Sequence, residues 1–485
     1  MTDDNYNSYE EPKVCNHYNY KIESDKWYLR EDSFRDKNLI TTPGWIVKDM
    51  LDLLPDSVWN TETTFLIPCI KSGNFAIEVK NRLFKCKDAL EKFPDDVDRR
   101  NHIDSKQLFC IYWYTEEEFD KNLISGHIWG VNGFLDALYS QSVNLMCTDD
   151  LNFDTFKDKT GKKQEKLLES IKEKFGTVKF DVVIGNPPYN NDLYLDFVEW
   201  GHQRASKYSL WITPAKWQAK GGDKNERFRK DIVPHMKDIV YYPVATDVFD
   251  IKEWSGISYY IIDTQVHTLK NISNRCKWQK LFNNDAHNIE LINLNNVLAQ
   301  IIKKVMQDKK MNLSDRIDWF KAKRAEELNT GTIQIMGGDS QGNMQELGKC
   351  NASNLINVDD IYKYKAIMHS MPGRNSTLVS DGTTYGNSDV KILEPNKVPR
   401  YMYLTLYCGD INSVKSFISY MKTKFIRALT FASSVGLHAD TPEFWRFVPD
   451  PGKFDHTFTD QELYKKYNLT DEEIHIIESV IKERK

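Results

Sequence analysis

The stretch Phe180-Asp181-Val182-Val183-Ile184-Gly185-Asn186-Pro187-Pro188-Tyr189 decides the fold of this chain. From Phe180 to Ile184 it is apolar and β-branched with a single acid, and Gly-Asn-Pro-Pro ends the run. That is the pattern of a buried parallel strand that breaks into a tight loop at its carboxyl end. In open α/β sheets, ligands bind just beyond that end. The loop chemistry is narrow. Asn186 carries an amide oxygen, and two successive prolines fix φ and remove two backbone donors. The Pro187 carbonyl is then an acceptor beside Asn186, and Tyr189 adds a flat π-surface. Two acceptors and one aromatic face suit a planar base whose exocyclic amine donates two hydrogen bonds. The competing reading is an ordinary strand followed by a Pro-Pro turn. Four residues alone do not separate the two.

Composition narrows the class. A chain of 485 residues is too long for one ordinary core, so two or three domains are expected. A hydrophobic content of 40% with 12% aromatics fits a globular protein. No apolar run approaches the length of a membrane span, and no charged-then-apolar leader opens the chain, so no membrane partner is expected. Eight cysteines are scattered without a Cys-x-x-Cys pair, which indicates neither a zinc knuckle nor a disulfide framework. A reducing cytoplasm is the default expectation. Net charge is −5, which does not advertise nucleic-acid binding, yet residues 270–330 hold 12 Lys or Arg against 7 Asp or Glu.

Outward from the central stretch, residues 41–55 open with Thr42-Pro43 and continue with Ile46, Met50, Leu53 and Leu54 at helical spacing. A Thr-Pro helix start presents backbone amides and a hydroxyl that can hold a carboxylate; a plain N-cap is the competing reading. Residues 64–79 read as strand, small-residue turn and helix, the first β-α unit of a nucleotide-binding sheet. Gly73 in that turn lets the backbone approach a ligand. Pro55-Asp56 followed by Glu78-Val79-Lys80 matches a loose nuclease pattern, but the last three fall inside the predicted helix and are discounted. Residues 107–113 form a second strand, and residues 143–151 a third, ending in Asp149 and Asp150. Asp149 capping the following turn is one reading. Beyond the central loop come a helix over 193–206, strands over 208–212, 239–243 and 256–262, and Phe249 just ahead of the last of these. After about residue 270 the βα rhythm stops. A helix over 287–304 is followed by irregular Gly-, Asn- and Ser-rich pieces, a helix over 413–431, and helical segments with a Thr470-Asp471-Glu472-Glu473 capping box near the end.

The Asn-Pro-Pro-Tyr (NPPY) loop after a hydrophobic strand resembles the catalytic loop of S-adenosylmethionine-dependent amino-methyltransferases, chiefly the adenine-N6 DNA methyltransferases. In order, the Thr-Pro helix, the Gly turn, the acid-ended strand, the loop, the Phe before a strand and the long later region are similar to the gamma class of those enzymes. The likeness is to the modification domain of type II restriction–modification enzymes that carry both activities on one chain. It implies an α/β fold: a Rossmann-like S-adenosylmethionine-dependent methyltransferase sheet with helices on both faces, plus a C-terminal mixed α+β target-recognition domain. The corresponding division is a tail over 1–36, a catalytic domain over 37–268 and a recognition domain over 269–485.

The resemblance also assigns roles. Asn186, Pro187, Pro188, Tyr189 and Phe249 form the catalytic pocket, in which a flipped adenine lies between Tyr189 and Phe249. S-adenosyl-L-methionine is held by Thr42, Pro43, Pro68, Ser72, Gly73, Asn74, Phe75, Asp149 and Asn186, with no metal. The partner is double-stranded DNA, met by a monomer or dimer, with a separately encoded restriction endonuclease as a further candidate. The setting is a bacterial or phage-infected cytoplasm. Chain length leaves no room for a nuclease domain, so modification without cleavage is expected. One departure stands out: the usual acid before the proline and glycine after it are replaced by Ile67 and Ile70-Lys71. The acid that would hold the cofactor ribose is likewise not evident, since Tyr112 or Trp113 stands there. Glutamine and ribosomal-RNA guanine methyltransferases share the loop but usually lack the later region, and cytosine-N4 enzymes more often carry Ser at position 186. A DNA-binding protein with a degenerate cofactor site is the alternative from another class.

Overall fold

The computed structural model describes residues 42–71, 73–112, 144–189, 192–218, 223–242, 245–249, 255–265, 271–274, 296–307, 313, 330–339, 343–355, 358–371, 382–434, 439 and 442–484. Ser72, Trp113, the tail over 1–36 and most of the basic stretch over 270–330 lie outside them.

The central stretch forms the strand its composition calls for. Eight strands make one sheet: β1 (Phe65–Ile67), β2 (Leu108–Tyr112), β3 (Asn144–Cys147), β4 (Phe180–Gly185), β5 (Ala205–Pro214), β6 (Met236–Tyr242), β7 (Ile257–Asp263) and β8 (Asn271–Asn274). Their spatial order is β3-β2-β1-β4-β5-β7-β6-β8. All neighbours pair in parallel except β7, which runs antiparallel to both β5 and β6. This is a Rossmann-like sheet with one reversed strand. The strand order reverses between β1 and β4, which makes their carboxyl ends the switch point where a ligand crevice opens. Phe65 pairs with Val182 and Leu66 with Val183, so the turn after β1 and the loop after β4 emerge side by side.

Alternation along the strands divides the core in two. Val182 and Ile184 face one side, with Phe65 and Ile67, and are covered by helices α1 (Gly44–Leu51) and α2 (Asn74–Lys85) through Ile46, Val47, Phe75 and Ile77. Val183 and Leu66 face the other, under α3 (Lys162–Phe175), α4 (Leu193–Arg204) and α5 (Asp223–Asp231), through Leu167, Ile171, Phe197 and Phe228. The one acid of the central strand is structural. Asp181 accepts from the Thr64 backbone N–H at 3.0 Å and Ser206 Oγ at 3.1 Å, and pairs with Lys207 at 3.1 Å, fastening the starts of β1, β4 and β5. Burial alone would raise its carboxyl; the bonds from Thr64, Lys207 and Ser206 outweigh that and hold it below the usual range. Glu78 and Lys80 do lie within α2, where Lys80 forms a buried 2.6 Å pair with Asp104, so the nuclease-like pattern is packing.

The described residues of the later region form two small sheets and a group of helices. Strands β9 (Ile333–Gly338), β10 (Met344–Cys350) and β13 (Lys397–Pro399) form one small sheet, and β11 (Tyr364–His369), β12 (Val390–Leu393) and β14 (Tyr403–Gly409) another. The glycines that make the sequence look irregular make room for crossing side chains. A Cβ on Gly338 would lie 2.4 Å from the Tyr403 hydroxyl, and one on Gly337 would lie 2.5 Å from Leu347. Helices α6 (Asn296–Gln307), α7 (Ile411–Lys422), α8 (Lys424–Ser433), α9 (Asp460–Lys466) and α10 (Asp471–Val480) pack around Phe417, Phe425, Leu429 and Ile477. The single helix expected over 413–431 is two. Thr423 stands at φ −58°, ψ 144°, closes α7, and caps α8 with its hydroxyl on the Ile426 N–H. The Thr470–Glu473 capping box is formed. Among the described residues no helix is long and apolar enough to cross a membrane.

Candidate catalytic site at the carboxyl ends of β1 and β4

β4 ends on a glycine that lies close against the Trp211 ring. A Cβ on Gly185 would sit 3.2 Å from the Trp211 ring, its partner on β5, and 3.8 Å from the ring of Pro68. The next residue, Asn186, is 1% exposed, and its Nδ2 donates to Thr42 Oγ1 at 3.1 Å. That bond turns the amide so that Oδ1 faces away from Thr42. The Thr42 carbonyl accepts from Asn74 Nδ2 at 2.6 Å. Thr42 therefore joins the start of α2 to the loop after β4. It is not the N-cap of α1; Pro43 holds that place and makes no side-chain bond to the helix. Pro187 and Pro188 are buried behind Asn186.

Tyr189 is half-buried and meets two rings edge-on: Tyr194, with centroids 6.5 Å apart, and Phe249, at 6.4 Å and 70°. Phe249 is fully buried, at the end of a tight turn where its N–H bonds to the Ala245 carbonyl at 2.9 Å. The two aromatic residues singled out from the sequence thus touch.

The turn after β1 is tied to β2 by the Ile70 N–H on the Ile111 carbonyl at 3.1 Å. Gly73 has φ 93°, a value that suits glycine, and it starts α2 without a side-chain cap. Pro68, Asn74 and Phe75 are buried beside it. Ile67 is packed in the core with Phe65 and Ile184, so the place expected to hold an acid faces hydrophobic side chains. Lys71 has φ 47° and is 8% exposed. Burial pushes its ammonium down to about 8, only partly offset by the neighbouring Cys69. Burial pushes the Cys69 thiol up to about 12.

Asp149 stands exposed just past β3. The helical turn over 153–157 is capped by Asn152, which accepts from the Asp154 and Thr155 N–H groups, so the capping role open to Asp149 is filled by another residue. Ser72 lies outside the described residues. Sequence reasoning missed Asp192 and Lys216, an ion pair of 2.8 Å at the exit of the NPPY loop. Nothing in their types or spacing marks them; only the adjacent ends of β4 and β5 bring them together.

The strand order, with one reversed strand and the NPPY loop at the switch point, is the α/β arrangement that the resemblance implied. Residues 74–192, from the start of α2 through that loop, match the model of the Eco57I restriction-modification methylase family. Over 291 residues it is 27% identical to an uncharacterized adenine-specific methylase of Mycoplasma pneumoniae, covering 46% of this chain and 66% of the relative. Among solved structures it is similar to DrdV in a DNA complex, at 12% identity and TM-score 0.46, with 84% of this chain and 56% of that one covered. A nuclease-deletion mutant of the Type ISP restriction-modification enzyme LlaGI, with a DNA substrate mimic, gives 10% identity, TM-score 0.46 and coverages of 84% and 54%. The chain spans less than two-thirds of the length of each of these relatives.

Proposed function

We propose that this chain moves a methyl group from S-adenosylmethionine to N6 of adenine in double-stranded DNA, acting on a base rotated out of the stack. The observation that carries the proposal is Asn186, buried at the carboxyl end of β4 and oriented by Thr42 beside Tyr189 and Phe249. The name of the Mycoplasma relative, an adenine-specific methylase, supports adenine as the target.

The residues fit the cofactor. Helices α1 and α2 both begin without side-chain caps, and Thr42 and Asn74 tie those two starts together. Their first-turn amides suit a carboxylate. Thr42, Pro43, Pro68, Gly73, Asn74 and Phe75 would hold the methionine part, with Ser72 assigned by resemblance and Asp149 offered to the adenine. Bound there, S-adenosylmethionine supplies an electrophilic methyl on a sulfonium. The chain's own work is positional. Asn186 Oδ1 and the Pro187 carbonyl accept from the target amine and aim its lone pair, while Tyr189 stacks on the base. Pro188 keeps the loop stiff. Holding two reactants in line supplies most of the acceleration and needs neither a strong base nor a covalent intermediate. The Tyr189 and Phe249 rings now touch, whereas a sandwiched base needs planes roughly 7 Å apart, twice a van der Waals contact. Base capture therefore moves Tyr189 off Phe249. The two small sheets and helices after residue 296 would read the sequence, with the protein a monomer or dimer on DNA, beside a separate endonuclease.

Sequencing of modified adenines in DNA from cells expressing the chain tests this reading. Asn186→Ala should lose methyl transfer on the order of a hundredfold or more while keeping DNA binding. Transfer at the wild-type rate by that variant would remove the catalytic assignment. The second reading, a DNA-binding protein without catalysis, draws on Ile67 in the core and the buried Lys71. It predicts DNA binding with no modified adenine at all.

A further inference from the structure

The loop that carries Asn186 leaves the site through Asp192, which is held in an uncommon way. Its φ of 58° lies in the left-handed region, disfavoured for a residue with a Cβ. It is the N-cap of α4, where an Asp side chain ordinarily accepts from the first-turn amides, yet no such bond is made. The carboxylate pairs with Lys216 at 2.8 Å, and the Asp192 carbonyl accepts from Lys224 Nζ at 2.8 Å. The Lys216 ammonium also lies 5.6 Å from the centroid of the Tyr194 ring, the ring that backs Tyr189. One cation thus touches both the exit of the loop and the support of its aromatic face.

Lys216 stands on a rigid base. The next residue, Trp217, is fully buried against Tyr260 and Phe228, with centroids 5.5 Å and 5.2 Å away. Its carbonyl accepts from Arg229 Nη1 at 2.7 Å, and the Ala215 N–H bonds to the Gly256 carbonyl at 3.0 Å. Further along the same face of α4, Asp196 pairs with Lys224 at 2.6 Å and Glu199 with Arg227 at 3.1 Å. Among the described residues the segment after β5 is bound to α4 by three ion pairs, and both side chains of the one at the loop are largely covered, 24% and 17% accessible.

We propose that Lys216 is a positioning residue for methyl transfer: by holding Asp192 and Tyr194 it fixes where the NPPY loop presents Tyr189 and Asn186. The catalytic half of this statement rests on the function proposed above, while the clamp itself can be tested without activity. Amide hydrogen exchange over residues 186–200 should quicken about tenfold in Lys216→Met, reporting local opening. In steady-state methylation the same variant should lose about tenfold or more in kcat, with KM for DNA within about twofold, because a displaced reacting group costs rate and not encounter. Lys216→Arg, which keeps the charge, should recover most of the rate. Lys216→Asp combined with Asp192→Lys should be better than either single change, isolating the pair. Unchanged exchange, or an unchanged kcat against an active wild type, overturns the proposal. So does a loss confined to KM with the salt slope of DNA binding reduced by about one, which makes Lys216 a phosphate contact instead. A wild type that transfers no methyl group ends the functional reading, and the exchange result still decides the clamp.

Discussion

At the scale of single residues, Lys71 has the most exacting environment in the site. Its ammonium is buried in the turn after β1, and desolvation lowers it from 10.5 to about 8. The unfolded chain keeps that proton up to about pH 10.5, while the folded chain releases it near 8. Between those values unfolding takes up a proton, so stability climbs with pH; below about 8 both states are charged and the cost is constant. Relative to Lys71→Met, the wild type should therefore gain up to about 3 kcal/mol of unfolding free energy over that window. Urea titrations of both proteins at several alkaline pH values measure it. A difference that stays flat would mean Lys71 is solvated. A conformation of φ 47° is uncommon for any residue with a Cβ, and nothing in the run Cys69-Ile70-Lys71 signals it.

At the scale of elements, the packing of α4 on β5 sets two familiar effects against each other. Gly201 lies in that helix, and replacing a helical glycine by alanine ordinarily gains about 1 kcal/mol. Here the new Cβ would lie 2.1 Å from Cζ2 of Trp211, a fully buried ring in the middle of the sheet. Overpacking a rigid core site costs typically about 1–3 kcal/mol, so Gly201→Ala should be destabilising on balance. Thermal unfolding checks the sign, and a rise in Tm would show that Trp211 can shift aside. Elements also show what the sequence could convey. The strand from Phe180 to Gly185 was legible because its apolar run and its terminators agree. The break between α7 and α8 was not, because Val414, Phe417, Met421, Phe425 and Leu429 keep one apolar stripe across it. A single Thr423 cap breaks the backbone without interrupting that stripe.

At the scale of the whole molecule, the legible part was what neighbours in sequence decide: the sheet's first seven strands, the NPPY loop and the glycine turn, whereas β8, a short polar strand past the expected end of the βα rhythm, was not read. The illegible part is made of contacts between distant segments. Thr42 on Asn186 and Lys216 on Asp192 depend on strand order, which local patterns do not encode, and Tyr189 beside Phe249 was reached only through the resemblance. The same contacts argue for coupling between the two proposed ligands. The proposed cofactor site lacks an acid at Ile67 and carries a buried cation at Lys71, so affinity for S-adenosylmethionine alone should be modest. Thr42 links the start of α2 to Asn186, so ordering one side by a flipped base should order the other. Calorimetric titration of S-adenosylmethionine should show binding tightened by about 5- to 150-fold when DNA bearing the target site is present. Linkage requires the reverse experiment, DNA titrated with and without the cofactor, to give the same factor. Equal affinities in both settings would dismiss the coupling while leaving the enzyme reading intact. A folded protein that binds DNA but takes up no cofactor in either setting would leave the non-catalytic DNA-binding reading in its place.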